Sequence, residues 1–396
     1  MAKLLQLSVV WRLAQLAGEA STVSSVTNRR PTLAQVAKAA GVTPGTASLV
    51  LNQRPGTRIT PATAERVRAA AAELGYHPDP TARSLRTGKS RTIGFISDEV
   101  ATTRFASALI RGAIDVAEKS NNLVLINECS FDPKRLDAAV SALVSRRVDG
   151  LVFALMKSRH VTVPRLPASL KAVIANGTAT VAGTDWQLPA VLPDETVSGA
   201  SAAEYLLARG HRRIALVGRD EAACDSEVSV CISVRMASID AALAAAGVEL
   251  ALEVPGSVWE PPLGAQAFAA IRDFNRAHAD APITAVIAGN DRIAFGLFQA
   301  AAHAGVRIPE ELSVISFDDE VLASYLDPGL TTMALPYLEM GRRAAQLVLE
   351  PTELRGVKRA HTGAAAHARM FPGPVGEAFV VDMPLVERAS VSAPRG

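Results

Sequence analysis

Thr32-Leu33-Ala34-Gln35-Val36-Ala37-Lys38-Ala39-Ala40-Gly41-Val42-Thr43-Pro44-Gly45-Thr46-Ala47-Ser48-Leu49-Val50-Leu51-Asn52 carries more start and stop signals than any other stretch of the chain. Thr32 and Gln35 have capping-box spacing: the hydroxyl can bond an orphan amide and the glutamine can reach back. The helix they open is predicted to run to about Ala40, and Gly41 permits a tight turn. Thr43-Pro44 then opens a second helix, with Pro in the first turn, where its missing N–H costs nothing. Thr60-Pro61 opens a third, ending near Leu74-Gly75, and Asp79-Pro80 a short fourth, closed by Gly88. Val36, Ala37 and Ala40 share a face of the first helix. Ala47, Val50 and Leu51 do so on the second, and Val67, Ala70, Ala71 and Leu74 on the third. The expected result is a helix-turn-helix packed on a third helix, whose second helix fits a DNA major groove.

Charge supports a polyanion partner. Residues 1–92 hold 13 Lys/Arg against 4 Asp/Glu, and the remainder holds 28 against 35, although the whole chain is only +2. A basic head on an acidic body fits a nucleic-acid module fused to something else. The bland alternative is a three-helix domain that binds protein. In the DNA reading, Thr43, Pro44, Gly45, Thr46, Ser48 and Leu49 lie at or near bases and phosphates. Thr32 opens the first helix, and Asn52, Arg54, Arg58 and Thr60 reach phosphate oxygens.

Beyond Arg91 the period changes. Apolar runs at Thr92–Ser97, Leu123–Asn127, Gly150–Leu155, Ala172–Ala175, Arg213–Val217, Ala285–Ala288 and Ser313–Phe317 alternate with helical patterns. These predict an α/β body of parallel sheets with helices on both faces. About 300 residues of this pattern exceed one core, so two lobes are expected. Residues 351–377 read as a surface loop, Ala378–Met383 as a last strand, and 389–396 as a loose tail. Residues 1–30 loosely mimic a signal peptide, interrupted by Gln6, Ser8 and Arg12, and read as an extension. No run of 18 apolar residues occurs, so no membrane-spanning helix is expected. Three cysteines are too few for a disulfide scaffold, and a reducing compartment is the default.

Residues 32–97 resemble the DNA-binding head and hinge of the lactose-repressor (LacI) family of bacterial transcription regulators. The carriers are Thr32–Ala37, Ala40–Thr43, Thr46–Ser48, Val50–Asn52, Arg66-Val67, Leu74–Pro78, Ala82–Gly88 and Ile93-Gly94. The similarity continues weakly to about residue 388. The resemblance implies that residues 79–91 form a hinge helix that orders on operator DNA. Leu85 would then be a minor-groove wedge, with Ala82 and Arg83 beside it. Many members of that family carry Arg at the position of Leu49, where it can donate two hydrogen bonds to guanine. Leucine offers only apolar contact, so direct base readout is expected to be thin and DNA deformation to matter more.

The body resembles the family's effector-binding core, which is itself similar to periplasmic sugar-binding proteins. That resemblance implies a cleft at the carboxyl ends of the strands, dimer formation, and a sugar-like effector. The candidate residues are Asp98, Phe105, Asn176, Asp194, Arg235, Trp259, Asp291 and Asp319. Carboxylates accept from hydroxyls, Arg donates in a fixed fork, and an aromatic face stacks on a ring. Each Asp taken singly reads better as a helix N-cap, and what favours a site is that several fall at strand ends of the same sense. Gly329–Thr332 is similar to the family's crossover between lobes. The expected organisation is an extension (1–30), a helix-turn-helix domain (31–78), a hinge helix (79–91), a two-lobed effector-binding and dimerisation domain (92–388) and a tail. The implied function is a cytoplasmic, homodimeric repressor that binds double-stranded operator DNA. No catalytic residue, metal or cofactor is expected. An exported solute-binding protein leaves residues 31–91 unexplained, and an α/β enzyme lacks a nucleophile–base pair or cofactor loop.

Overall fold

The computed structural model describes residues 31–52, 56–79, 84, 87–104, 106–130, 132–225, 228–349 and 377–395. The expectations for residues 1–30, Arg54, Ala82, Arg83, Leu85, Phe105 and the 351–376 segment lie outside them. The chain divides into two compact units, residues 1–87 and 88–396.

In the first unit, helices α1 (Leu33–Ala39), α2 (Pro44–Leu51) and α3 (Pro61–Glu73) begin where the threonines place them. The Thr32–Gln35 box closes in both directions. Thr43 and Thr60 each accept a backbone N–H three residues on. Gly41 turns the chain between α1 and α2 with φ +65. The core is Val36, Ala37, Ala40, Ala47, Val50, Val67, Ala70 and Ala71. Most of these are alanines, so apolar burial is thin, and caps worth about 1 kcal/mol each carry weight. Leu74 corrects the expected apolar face. It is the C-cap of α3 and 39% exposed, while Tyr76, after the glycine turn, packs on the core instead.

The second unit opens with β1 (Thr92–Asp98), β2 (Leu123–Glu128), β3 (Gly150–Leu155), β4 (His160–Val163), β5 (Lys171–Ala175), β6 (Thr178–Val181) and β7 (Ala190–Pro193). The next strands are β8 (Ile214–Val217), β9 (Leu252–Val254), β10 (Ala285–Ala288), β11 (Ser313–Asp318) and β12 (Thr331–Ala334). They are followed by β13 (Ala378–Val381) and β14 (Leu385–Val386). The first sheet has the order β13-β7-β5-β3-β1-β2 and is parallel throughout. The second has the order β14-β12-β11-β10-β8-β9 and is parallel except for β14. Strands β4 and β6 pair by themselves. Two lobes follow, and the chain changes lobe after β7, after β12 and after β13.

Helices α4 (Ala108–Lys119) and α5 (Pro133–Ser145) flank the first sheet. Helices α6 (Glu195–Ala208), α7 (Glu221–Cys224), α8 (Ile232–Ala245), α9 (Pro261–Ala277), α10 (Asp291–His303) and α11 (Val321–Tyr325) belong to the second lobe. Helix α12 (Tyr337–Leu349) returns to pack on α4. Side chains alternate across each sheet. Phe95, Val152 and Val173 face α4 and α12, whereas Ile96, Phe153 and Ile174 face α5. Val217, Val286 and Val314 face α9 and α10, and Leu216, Ile287 and Phe317 face α6 and α8.

Two expectations are corrected here. Residues 389–395 are not a loose tail. Ser390 is fully buried, its Oγ donates to Val314 O at 2.6 Å and accepts from Thr331 N at 2.8 Å, and Val314 N donates to its carbonyl. Ser392 O bonds the buried His211 ring at 2.8 Å. Gly329–Thr332 is not the crossover. Thr331 and Thr332 lie in β12, paired with Ile315 and Ser316, and the change of lobe follows at Leu335-Pro336.

Candidate functional site

On the head, Pro44 and Gly45 are exposed and Thr46, Ser48 and Leu49 half-buried along α2. Arg58 and Thr60 are exposed before α3. The hydroxyls of Thr32, Thr43 and Thr60 are spent on caps, bonding Gln35, Thr46 and Thr63 respectively. What these helix ends offer a phosphate is therefore mostly backbone N–H and dipole. Asn52 corrects its expected role. Its amide donates to Ser48 O at 2.8 Å and Ser48 Oγ at 3.3 Å, so both N–H groups hold the end of α2.

In the second unit a cavity of about 500 Å³ lies between the lobes. Glu99, Met156 and Asn176 reach it from the ends of β1, β3 and β5, and Asn290 and Asp318 from the ends of β10 and β11. Arg235, Trp259, Glu195, Arg292, Glu320 and Tyr337 complete its polar and aromatic wall.

Of the expected residues, the cavity brings together Asn176, Arg235 and Trp259. Asn176, at φ 59, donates its amide to Leu155 O at 3.0 Å, Met156 O at 3.1 Å and Tyr337 Oη at 3.4 Å, which fixes the side chain in the wall. Trp259 Nε1 donates to Gly218 O and Gly256 O, which fixes the ring as a wall. Arg235 lies with its guanidinium carbon 4.1 Å from the Phe317 ring centroid.

Four aspartates are corrections. Asp98 pairs with Arg159 at 2.8 Å. Asp194 caps α6 by accepting from Val197 N at 3.2 Å. Asp291 is fully buried and accepts from Ser316 Oγ, Thr332 Oγ1 and Glu320 N. Asp319 pairs with Arg388 at 2.7 Å. Each is spoken for by its own lobe, and none lines the cavity. In every case the lining residue is the chain neighbour: Glu99, Glu195, Asn290 and Asp318.

Asp318 lines the cavity from a strained backbone. Its φ of 115 and the 55 of Asp319 are left-handed conformations, each costing about 1–3 kcal/mol, and such strain collects at ligand sites. Burial, and then the charge of Asp291, raise its carboxyl well above the usual carboxylate range, against the pull of Arg235. Among the described residues no side-chain hydrogen bond reaches it.

A helix-turn-helix head joined to a two-lobed body with a polar cleft defines a DNA-binding regulator with a small-molecule pocket. The comparisons agree. Residues 32–79 match the model of bacterial regulatory proteins of the lacI family, and residues 203–373 that of the periplasmic binding protein-like domain. The chain is 30% identical over 323 residues to the HTH-type transcriptional repressor CytR of Escherichia coli (strain K12), covering 81% of this chain and 89% of that one. It is 32% identical over 330 residues to the sucrose operon repressor of Escherichia coli, covering 81% and 94%. A crystal structure of the lac repressor dimer bound to operator and the anti-inducer ONPF superposes with TM-score 0.65 at 22% identity. It covers 92% of this chain and all of that one. The chain belongs to the lacI family of bacterial transcription regulators.

Proposed function

We propose that this regulator is a repressor that binds a near-palindromic operator as a homodimer and changes its DNA affinity when a sugar-like molecule fills the interlobe cavity. Helix α2 lies in the major groove, with Thr46, Ser48 and Leu49 toward the bases. The amino ends of α1, α2 and α3 and Arg58 take the backbone. Residues 79–91 act as the hinge, with Leu85 as the wedge. The protein works in the cytoplasm, where its operator is, and catalyses no reaction. A homodimer is supported by β2, an edge strand with Leu123, Leu125 and Ile126 exposed, a surface that a second copy would cover.

The observation that carries the reading is the convergence of Asn176, Arg235 and Trp259, drawn from both lobes, on one cavity in a chain that begins with a DNA-binding head. The test is fluorescence anisotropy with an operator selected from random duplexes, titrated with and without a panel of sugars. Specific binding is expected, and at least one sugar should shift it. Trp259→Ala should keep operator binding and lose the shift. Binding without sequence preference defeats the proposal, as does a sugar response that survives Trp259→Ala unchanged.

A further inference from the structure

The guanidinium in the cleft is already answered. Arg235 Nε and Nη2 meet the two carboxylate oxygens of Glu195 at 2.7 and 2.6 Å, and Nη1 donates to Gly289 O at 2.7 Å. The two side chains are 3% and 1% exposed. Three of the five N–H groups are thus committed, and the charge is cancelled inside a low-dielectric wall. Ser198 Oγ donates to Glu195 Oε2 at 3.2 Å and steadies it. The approach of the two helices is built for this pair. A Cβ at Gly199, one turn beyond Glu195, would overlap Ser238 Oγ on α8.

The rest of the wall offers an anion only the exposed Lys157. Arg292 is engaged by Glu260 at 3.1 Å and Glu320 at 3.2 Å. Glu99 adds negative charge, and Asp318, its carboxyl raised by burial, offers an anion no positive partner. Even with Asp318 left out, four carboxylates, Glu99, Glu195, Glu260 and Glu320, line the cavity against Lys157, Arg235 and Arg292. A phosphate or carboxylate group would meet a net negative surface and a bidentate partner it would have to displace.

We propose that Glu195 is a specificity-determining residue: by neutralising Arg235 it closes the cleft to carboxylated and phosphorylated ligands and leaves it open to uncharged polyols and cations. The proposal rests on the cavity being the effector site. The two uncommitted N–H groups of Arg235 still orient hydroxyls, so the arginine binds as a dipole rather than as a counter-ion. Rejecting the wrong charge in this way sets specificity by a repulsive element rather than by an extra contact.

The test uses the full-length protein, with inorganic phosphate and D-gluconate as anionic probes in calorimetric titrations. Glu195→Gln keeps the shape and removes the charge, so Arg235 is left to recruit an anion. It should bind phosphate about tenfold or more tighter than the wild type, and adding Arg235→Gln should abolish the gain. A folded Glu195→Gln protein with no gain overturns the proposal. The wild type supplies a second measurement that needs no variant. In the matched pairs glucose/gluconate and ribose/ribose 5-phosphate, no anionic member should bind more tightly than its neutral counterpart, and one that does overturns the proposal. If Trp259→Ala leaves all probe binding unchanged, the cleft reading itself fails and takes this proposal with it. If only the Glu195→Gln gain is missing, the cleft reading stands.

Discussion

Asp291 shows how much a single residue's position along a strand end decides. It was legible as a carboxylate at the carboxyl end of a strand, beside a cleft, and so were Asp98, Asp194 and Asp319. All four miss the cavity by one place. At these places the chain leaves a strand through a left-handed residue or enters a helix at its N-cap, so adjacent side chains point apart and a one-residue ambiguity about where the element stops exchanges the lining residue for its neighbour. Sequence pattern locates strand ends only to within a residue or two, which is enough to find the site and too coarse to choose the atom. Arg235 and Trp259 escaped this because helix and loop geometry presents them. Asp291, turned inward, has its carboxyl raised to about 6, chiefly by burial, against the three donors that favour its charged form. The sign follows. In the folded protein this group keeps its proton to a higher pH than in the unfolded chain, so its contribution to stability is present at low pH and is lost as pH rises. The window runs from about 4 to 6, and the loss is about 3 kcal/mol. Asp291→Asn sets an amide against Glu320 N and carries a fixed cost, but it cannot titrate. Urea denaturation from pH 4 to 7 should show the wild type losing stability relative to the variant across that window. Parallel curves would contradict the assignment.

Elements were legible where their ends are chemically marked. Thr32, Thr43 and Thr60 each cap the helix their spacing predicted, because a hydroxyl three residues before an orphan amide is a local signal that packing seldom overrides. Strands β3 and β10 were legible from buried apolar runs, whereas β4, β6, β7, β9, β12 and β14 were not. These are two to four residues long and owe their pairing to neighbours distant in sequence. Helix pairing was also invisible, although glycines set it. A Cβ on Gly112 would overlap Leu338 O, and one on Gly341 would overlap Leu109 O, so α4 and α12 cross at backbone distance. Gly264 and Gly296 stand in the same way against Ile293 O and Pro261 O where α9 meets α10. No flexible side chain can give way at these contacts. Each Gly→Ala substitution should therefore cost about 1–3 kcal/mol by overpacking, although alanine is the better helix former in isolation. Within a pair the second substitution should cost less than the first, because the helices have already separated. Guanidinium denaturation of Gly264→Ala, Gly296→Ala and the double variant checks both statements. Unchanged midpoints would show that the helices do not approach as closely as described.

At the scale of the molecule, the division into a basic head and an acidic sensing body was legible because charge and hydrophobic period both change near residue 91. The way the lobes are fastened was not. The segment that enters α8 and its first turn belong to the second lobe, yet Val230, Cys231 and Val234 pack into the first lobe's core. Val230 N donates to Ser158 O, and the Ser158 and Ser229 hydroxyls lie 2.6 Å apart. Three chain crossings and this strap oppose sliding of one lobe past the other, which leaves a change of interlobe angle as the simplest response to a ligand. If that angle governs DNA affinity, thermodynamic linkage makes an exact demand: operator must change effector affinity by the same factor that effector changes operator affinity. Couplings of this kind are commonly about 5–150-fold. Val230→Ala, which loosens the strap without touching the head, should cost about 1–3 kcal/mol of body stability. It should also shrink both factors together. Paired titrations, effector into protein with and without operator and operator into protein with and without effector, measure the two factors independently. Unequal factors would mean that the two titrations do not close one cycle, as when effector also binds at a second site. Equal factors untouched by Val230→Ala would mean that the strap takes no part in the signal.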